Sequence, residues 1–401
     1  MMAMIEGLTH LGLGKVDDGR TLLPRVLPGE EVSVDQDGTV RIVTPSPCRV
    51  APPCRHFKTC GGCAMQHATD AFVADWKQEI VRRAITAQGL TTVFRDIVTS
   101  PPQSRRRAKF SGQRTKKGVS LGFHAKQSDQ IVAVPECQLV TPGLLAARPI
   151  LEALIMIAAS RKSQVGFTVT ETTVGPDIVI DTEKELTSQL RMELAVFAQN
   201  NGVSRLVWQK EVIVTMTPPT QDFGGVTAVP PAGAFLQATV HGETALREAV
   251  IEITDGAKSI VDLFAGSGTF ALPLSRTAEV HAVEGDAEMV AALDRGWREG
   301  KGLKRVTTEA RDLYRRPLEP DELRKFNAAV IDPPRAGADS QIATLAESTV
   351  KKIAMVSCNP VTFARDAKTL VAAGFTFNWL QVVDQFRWSP HVEVVGSFTR
   401  K

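Results

Sequence analysis

VDLFAGSGTFALPL, residues 261–274, reads as an apolar strand, a glycine-rich turn and the start of a helix. The turn fits a loose G-x-G-x-x-A pattern from Gly266 to Ala271, a weak signal alone, so the surrounding acids carry the reading. Glu284 closes the next apolar run, 18 residues after Gly266, where a ribose-binding carboxylate belongs. Asp312, in EARDLY, is placed to reach an adenine amino group. A nicotinamide dinucleotide would satisfy both acids. Asp262, inside the first strand and just ahead of the glycines, better suits a cofactor with positive charge and no pyrophosphate. S-adenosylmethionine has both properties.

Outward from this turn, SIVDLF, EVHAVEG, NAAVIDP and KIAMVSC are apolar, β-branched runs suited to buried parallel strands, with helical segments between them. The expected architecture is a doubly wound α/β sheet, closed by TFNWLQVVDQF and HVEVVGSFTR as an antiparallel pair at one edge. Asp332-Pro333-Pro334-Arg335 ends the fourth strand, at the carboxyl edge where such sheets bind ligands. Cys358 ends the next strand and Glu393 enters the last. A lone cysteine closing a buried strand is ordinarily a core residue. Here the same sheet edge carries the glycine turn and Asp332, so a thiolate would face a bound cofactor. A thiolate and a carboxylate beside a methyl donor make chemical sense together. Carbon C5 of uracil is a poor nucleophile until a thiolate adds at C6, and a base must then remove the C5 proton.

The remainder divides into a small unit of short strands over residues 1–47, a central region over 48–231 and the α/β region over 232–401. The boundary at the last falls in the Pro/Gly-rich stretch 217–235. The first unit carries four basic and seven acidic residues between 4 and 47, a poor balance for gripping nucleic acid alone. A helix is expected over about 71–88, with Phe72, Trp76, Ile80, Ala84 and Ile85 at helical spacing, packing against the α/β region. Residues 104–117 hold Arg105, Arg106, Arg107, Lys109, Arg114, Lys116 and Lys117 without one acid, and read as a hairpin presenting a positive, phosphate-attracting surface. CRHFKTCGGC, residues 54–63, concentrates three of six cysteines, with Cys48 just upstream. No export signal is visible and no window approaches 18 uninterrupted apolar residues, so a reducing cytoplasm is expected and no membrane span. That disfavours disulfides and favours metal binding or catalysis; spacing alone leaves zinc and iron–sulfur open.

Taken together, CRHFKTCGGCAMQH, LGFHAKQSDQIVAVPEC, AFLQ, DLFAGSGTF, VEGD, IDPPRAG, VSCNP and HVE resemble the RNA uracil-C5 methyltransferase family over nearly the whole chain. The resemblance implies a class I methyltransferase sheet, an α+β central domain and a shortened TRAM-like N-terminal barrel. It implies Cys358 as nucleophile and Glu393 as proton acceptor, with Gln237, Phe264, Gly266, Thr269, Glu284, Asp312 and Asp332 at the S-adenosylmethionine site. It also implies a [4Fe–4S] cluster on Cys54, Cys60, Cys63 and Cys137, with Cys48 a bystander, and RNA contacts from Arg105, Arg106, Arg107 and Lys109. The cluster would tie residues 54–63 to the strand ending at Cys137. The substrate implied is RNA, 23S rRNA ahead of tRNA, because the tRNA-specific branch generally lacks the cluster; a monomer is expected. The chain departs from the family at Thr239 and Thr269, where asparagine is usual, and at Phe386-Arg387, where Phe-Pro is usual, which leaves the loop carrying Glu393 open in shape. The competing readings are an RNA-binding protein without catalysis and a nicotinamide-dependent oxidoreductase.

Overall fold

The strand Ser259–Leu263 forms the middle of a nine-stranded sheet in the computed structural model, which describes residues 2–401. Glu279–Glu284 and then Val306–Ala310 pair parallel on one side of it, Ala328–Ile331 and Lys352–Ser357 on the other. Chain direction across the sheet thus reverses at Ser259–Leu263, and the crevice beyond its carboxyl end is where a doubly wound sheet takes a ligand.

Period-two alternation explains why these strands read as unbroken apolar runs. Val261, Leu263, Ala329, Ile331, Ile353 and Met355 bury into one face, Ile260, Val280, Val330, Ala354 and Val356 into the other. Asp262 occupies a slot on that second pattern, where every neighbouring strand supplies an alkyl group.

The two closing strands, Thr376–Asp384 and Glu393–Thr399, are antiparallel, with the second inserted beside Lys352–Ser357. They do not form the sheet edge. The short strands Val93–Phe94 and Val98–Thr99 pair parallel with Thr376–Asp384 and cover it. The helix Asp70–Ala87 leads into them, capped by the Thr69 hydroxyl accepting from the Phe72 amide. Its buried face is Val73, Trp76, Lys77, Val81 and Ile85, and Val81 and Ile85 join the core of the α/β sheet. Residues 70–99 therefore pack with the C-terminal sheet although they precede the central one. Phe72 and Ile80 are partly buried, packing against the cluster of Leu8, Leu27, Met65, Val73 and Trp76 while also lining an open cleft.

A seven-stranded central sheet carries the antiparallel hairpin Arg107–Thr115 and Gly118–His124, as the basic run implied. Phe110 points inward, fully buried and stacked on Phe123 at 5.0 Å. The N-terminal unit is a five-stranded antiparallel sheet around Ile5, Val16, Val26 and Val32. Among the described residues, no helix is long and apolar enough to cross a membrane.

Candidate active site

The glycine turn is shaped by backbone chemistry. Phe264 takes a φ of 62°, a left-handed conformation uncommon for a bulky residue, and it turns the chain sharply off the strand. Gly268, at φ +103°, could not carry a Cβ, because one would lie 2.7 Å from Leu272 Cγ. The Gly266 amide donates to Glu284 Oε2 at 3.0 Å and the Asp286 amide to Glu284 Oε1 at 3.0 Å. The first turn and the end of the second strand are thus one unit. Phe264 packs 5.4 Å from the ring of Tyr314, an aromatic partner that belongs to no motif. Thr269 is half-buried in the same turn. Asp312 is exposed and spends one oxygen on its own turn, accepting from the Tyr314 and Arg315 amides at 3.0 and 3.3 Å.

Asp262 is 0% exposed, and no described group donates a hydrogen bond of full geometry to either oxygen. Burial, then the charges of Asp332 and Glu284, push its carboxyl well above the usual range. A buried acid held only by a marginal contact from the Ala271 amide costs free energy, and a cation brought alongside would lower that cost.

Two glutamines join the remaining acids. Gln237 Nε2 donates to Asp332 Oδ2 at 3.1 Å. Gln385 Nε2 donates to Gln237 Oε1 at 2.5 Å and to Glu393 Oε2 at 3.0 Å. Burial raises Asp332 to about 7 against the bond from Gln237, and raises Glu393 well above its usual range, with Asp332 adding to it. Cys358, half-buried, has its thiol pushed up to about 11, first by burial and then by Glu393 and Asp332, with Arg335 opposing. These charges act on one another, so the sheet edge brings Cys358, Glu393, Asp332 and Gln237 into one site.

The loop between the closing strands is pinned from three directions. Lys77 Nζ, fully buried, donates to Asp384 Oδ1 at 2.5 Å and to the Phe386 carbonyl at 3.1 Å. Arg387 donates to the Ser100 carbonyl at 3.1 Å and pairs with Asp70 at 2.5 Å. The Trp388 carbonyl accepts from the Ala64 and Met65 amides at 2.7 and 3.1 Å. The arginine that replaces the usual proline is itself an anchor.

Two clefts flank this loop. One, of about 1000 Å³, lies between the N-terminal unit and the α/β sheet and reaches Cys358 and Asn359. The other, of about 890 Å³, runs past Gly61–Ala64, Arg105, Lys109, Lys126 and Arg387. Arg105 is half-buried there and burial lowers its guanidinium. Lys109 is exposed and pairs with Asp181 at 3.6 Å. Arg107, also half-buried, donates to the Gly233 carbonyl at 2.8 Å. Arg106 corrects the expectation of an RNA-facing run. It is buried in an ion pair with Glu243 and donates to the Gln237 carbonyl at 3.2 Å, because strand alternation turns it inward against the segment that carries Gln237.

Cys60 and Gly61 pair with Ala125 and His124 at the hairpin's far end, the Gly61 amide donating to the His124 carbonyl at 3.0 Å. The strand Ile131–Ala133 ends before Cys137, which sits buried in the following turn. Burial raises Cys63 to about 12, and the charges of Cys137, Cys60 and Cys54 add to it; Cys60 is raised by burial and by Cys137 and Cys54. The four thiols are free and close enough to interact, although among the described residues no three Cys, His, Asp or Glu side chains converge to metal-binding distance. Cys48 packs apart from them, beside Leu27 and Met65.

Residues 302–401 match the tRNA (Uracil-5-)-methyltransferase family. The chain is 43% identical to an RNA methyltransferase of Rhizobium meliloti over 97% of this chain and 96% of that one. It is 31% identical to the 23S rRNA (uracil(1939)-C(5))-methyltransferase of Halomonas elongata, over 97% of this chain and 87% of that one. The structure resembles the crystal structure of Pyrococcus abyssi tRNA (uracil-54, C5)-methyltransferase in complex with S-adenosyl-L-homocysteine. The TM-score is 0.80 at 21% identity, covering 100% of this chain and 99% of that one.

Proposed function

The chain belongs to the RNA uracil-C5 methyltransferase family and is an S-adenosylmethionine-dependent RNA methyltransferase, and from that premise we propose which residues run the reaction and which RNA receives it. When bound, S-adenosylmethionine supplies a methyl group on a positively charged sulfur. The residues at the sheet edge fit such a group: Asp262 is a buried acid with no full hydrogen bond, and Glu284 stands ready for ribose hydroxyls. Gln237, Phe264, Gly266, Thr269, Asp312 and Asp332 would complete its pocket.

Cys358 acts on the pyrimidine. Its sulfur bonds to C6 of uridine, and the C5=C6 electron pair moves to C5 and the O4 enolate. C5 then takes the methyl group. The Glu393 carboxylate accepts the C5 proton, the C5–H pair restores the double bond, and the C6–S pair leaves with the sulfur. With the thiol at about 11, roughly one molecule in ten thousand is thiolate at neutral pH in the free protein. A cation in the adjoining pocket would oppose the two acids that raise it and release more thiolate. The carrying observation is that Cys358 and Glu393, 35 positions apart in the chain, meet at one sheet edge, the cysteine just after one strand and the glutamate opening its antiparallel neighbour, where the Glu393 charge raises the thiol.

We assign the substrate to 23S rRNA, supported by the Halomonas relative's similarity across nearly the whole chain. The target uridine must be unstacked to expose C6, so a looped or remodelled segment is required. Every residue named comes from one chain, so a monomer suffices, and its RNA would be met in the cytoplasm.

We also assign Cys54, Cys60, Cys63 and Cys137 as holders of a [4Fe–4S] cluster. The donor chemistry suits the group, although the side chains stand short of metal-binding distance: four thiols outside any disulfide, two of them raised by burial and by neighbouring thiols, gain from a metal that binds them as thiolates. The group's contribution there is structural. Protein purified without oxygen should be brown, with about four iron and four sulfide per chain; one zinc and no visible absorption would replace the cluster with a zinc site. For the reaction itself, 5-methyluridine should vanish from one position of 23S rRNA in a deletion strain and return with the wild-type chain but not with Cys358→Ala. Unchanged rRNA with altered tRNA would move the substrate assignment.

A further inference from the structure

Gln385 lies between the methyl-donor segment and the base, and nothing in its sequence context marks it for chemistry. It is buried, with both amide hydrogens donated and its oxygen accepting one bond. Its Oε1 accepts from the Ala238 amide at 2.7 Å, which fixes which end of the side chain is nitrogen. Its Nε2 must then donate, to Gln237 Oε1 at 2.5 Å and Glu393 Oε2 at 3.0 Å. Gln237 in turn holds Asp332. Space for this amide is made by Gly242, in the first turn of the helix Val240–Thr254, where an added Cβ would come within 2.6 Å of Gln385 Cβ and 3.2 Å of its Oε1. The Ala238 carbonyl is itself held, by the Arg106 amide at 3.1 Å.

Building on the base role proposed for Glu393, we propose that Gln385 is the positioning residue of the proton-removal step, aiming one oxygen of Glu393 at the substrate by holding the other and keeping that carboxyl ionisable beside the donor site. Donation to a carboxylate favours its charged form, so the amide opposes burial and the neighbouring Asp332 charge, which both raise Glu393. Cys358, on the adjacent strand, is the other titrating group in the site, and Arg335 the cation beside it. The bond from Gln385 reaches only Oε2, and no described group holds Oε1. The free oxygen is the one available to a C5 proton.

Release of methylated RNA should therefore fail before methyl transfer does. In Gln385→Met, nearly isosteric but without the donor, formation of the methylated RNA–protein adduct should stay within about threefold of wild type. Its resolution should slow by about 10- to 100-fold, so the adduct accumulates on denaturing gels. The acid limb of the release rate should move up by about one pH unit, and further in Gln385→Glu, which sets a like charge against Glu393. Gly242→Ala, which presses on the amide from outside the site, should give the same split more weakly and serves if Gln385→Met folds poorly. Equal slowing of both steps, or an unmoved acid limb, would reduce Gln385 to packing and overturn the proposal. Should Glu393→Gln itself accumulate no adduct, the underlying base assignment fails and takes this inference with it; an adduct there without one in Gln385→Met fails this inference alone.

Discussion

Two clefts meet at Leu11, Leu13, Pro390 and His391 and differ in what lines them. The cleft that reaches Cys358 mixes Glu6, Asp75 and Glu79 with Lys15, Arg83 and Arg335 among leucines and aromatic rings. The other carries Arg105, Lys109, Lys126 and Arg387 and no acid. A mixed, apolar cleft suits an unstacked base, whose faces are greasy and whose edges are polar; a cleft of one sign suits phosphates. On the proposed roles, chemistry and electrostatic grip are separated by one loop, the loop that leads into Glu393. That loop is held by Lys77, by Arg387 and by the cysteine segment through Trp388.

The largest effect should come from the chemical cleft alone. Cys358→Ala should lower 5-methyluridine formation by on the order of 10⁴-fold or more, read by nucleoside mass spectrometry. RNA affinity should stay within a factor of about two, since the sulfur touches no phosphate; a parallel fall in binding would merge the clefts. Next is the divider. Lys77→Met strands Asp384 buried without its cation and should cost about 3–5 kcal/mol of stability in urea unfolding. Lys77→Met with Asp384→Leu should recover much of it. Smaller is the basic cleft: Lys126→Ala and Lys109→Ala should each weaken RNA binding several-fold and lower the salt slope by about one. Single-turnover methyl transfer at saturating RNA should be unaffected. Lys109 should matter less than Lys126, because Asp181 already shares its charge. Smallest is pH. Burial, then Arg335, Lys77 and Arg105, hold His391 below its ordinary value, so it stays neutral down to mildly acidic pH. His391 should therefore add no step to RNA affinity, measured by titration, between about pH 8 and 6.5: His391→Gln should leave that part of the profile unchanged.

What the sequence reveals tracks how local the physics is. The glycine turn, Glu284, Asp332 and Cys358 are legible because strand periodicity puts each at a known edge of a known sheet. Arg106 is misread because a charge run shows nothing of strand alternation against a neighbouring segment; its partner Glu243 is 137 residues away. Lys77 is invisible for the same reason, Asp384 lying 307 positions off, and so is the link from Gln385 to Gln237 across 148 positions. The helix Asp70–Ala87 and its apolar face are found, with Phe72 and Ile80 packed at the margin of a core cluster and beside a cleft that only the tertiary fold creates. The cysteine segment shows its own spacing, while its docking on the Trp388 carbonyl is a backbone contact with no side-chain signature.

The central claim is that the sulfur of Cys358 bonds transiently to the pyrimidine while Glu393 takes its proton. Peptide mapping of Glu393→Gln after incubation with rRNA and S-adenosylmethionine tests it directly. A methylated uridine attached at Cys358 is the predicted result; normal turnover, or full binding of both partners with no linkage at residue 358, would contradict it.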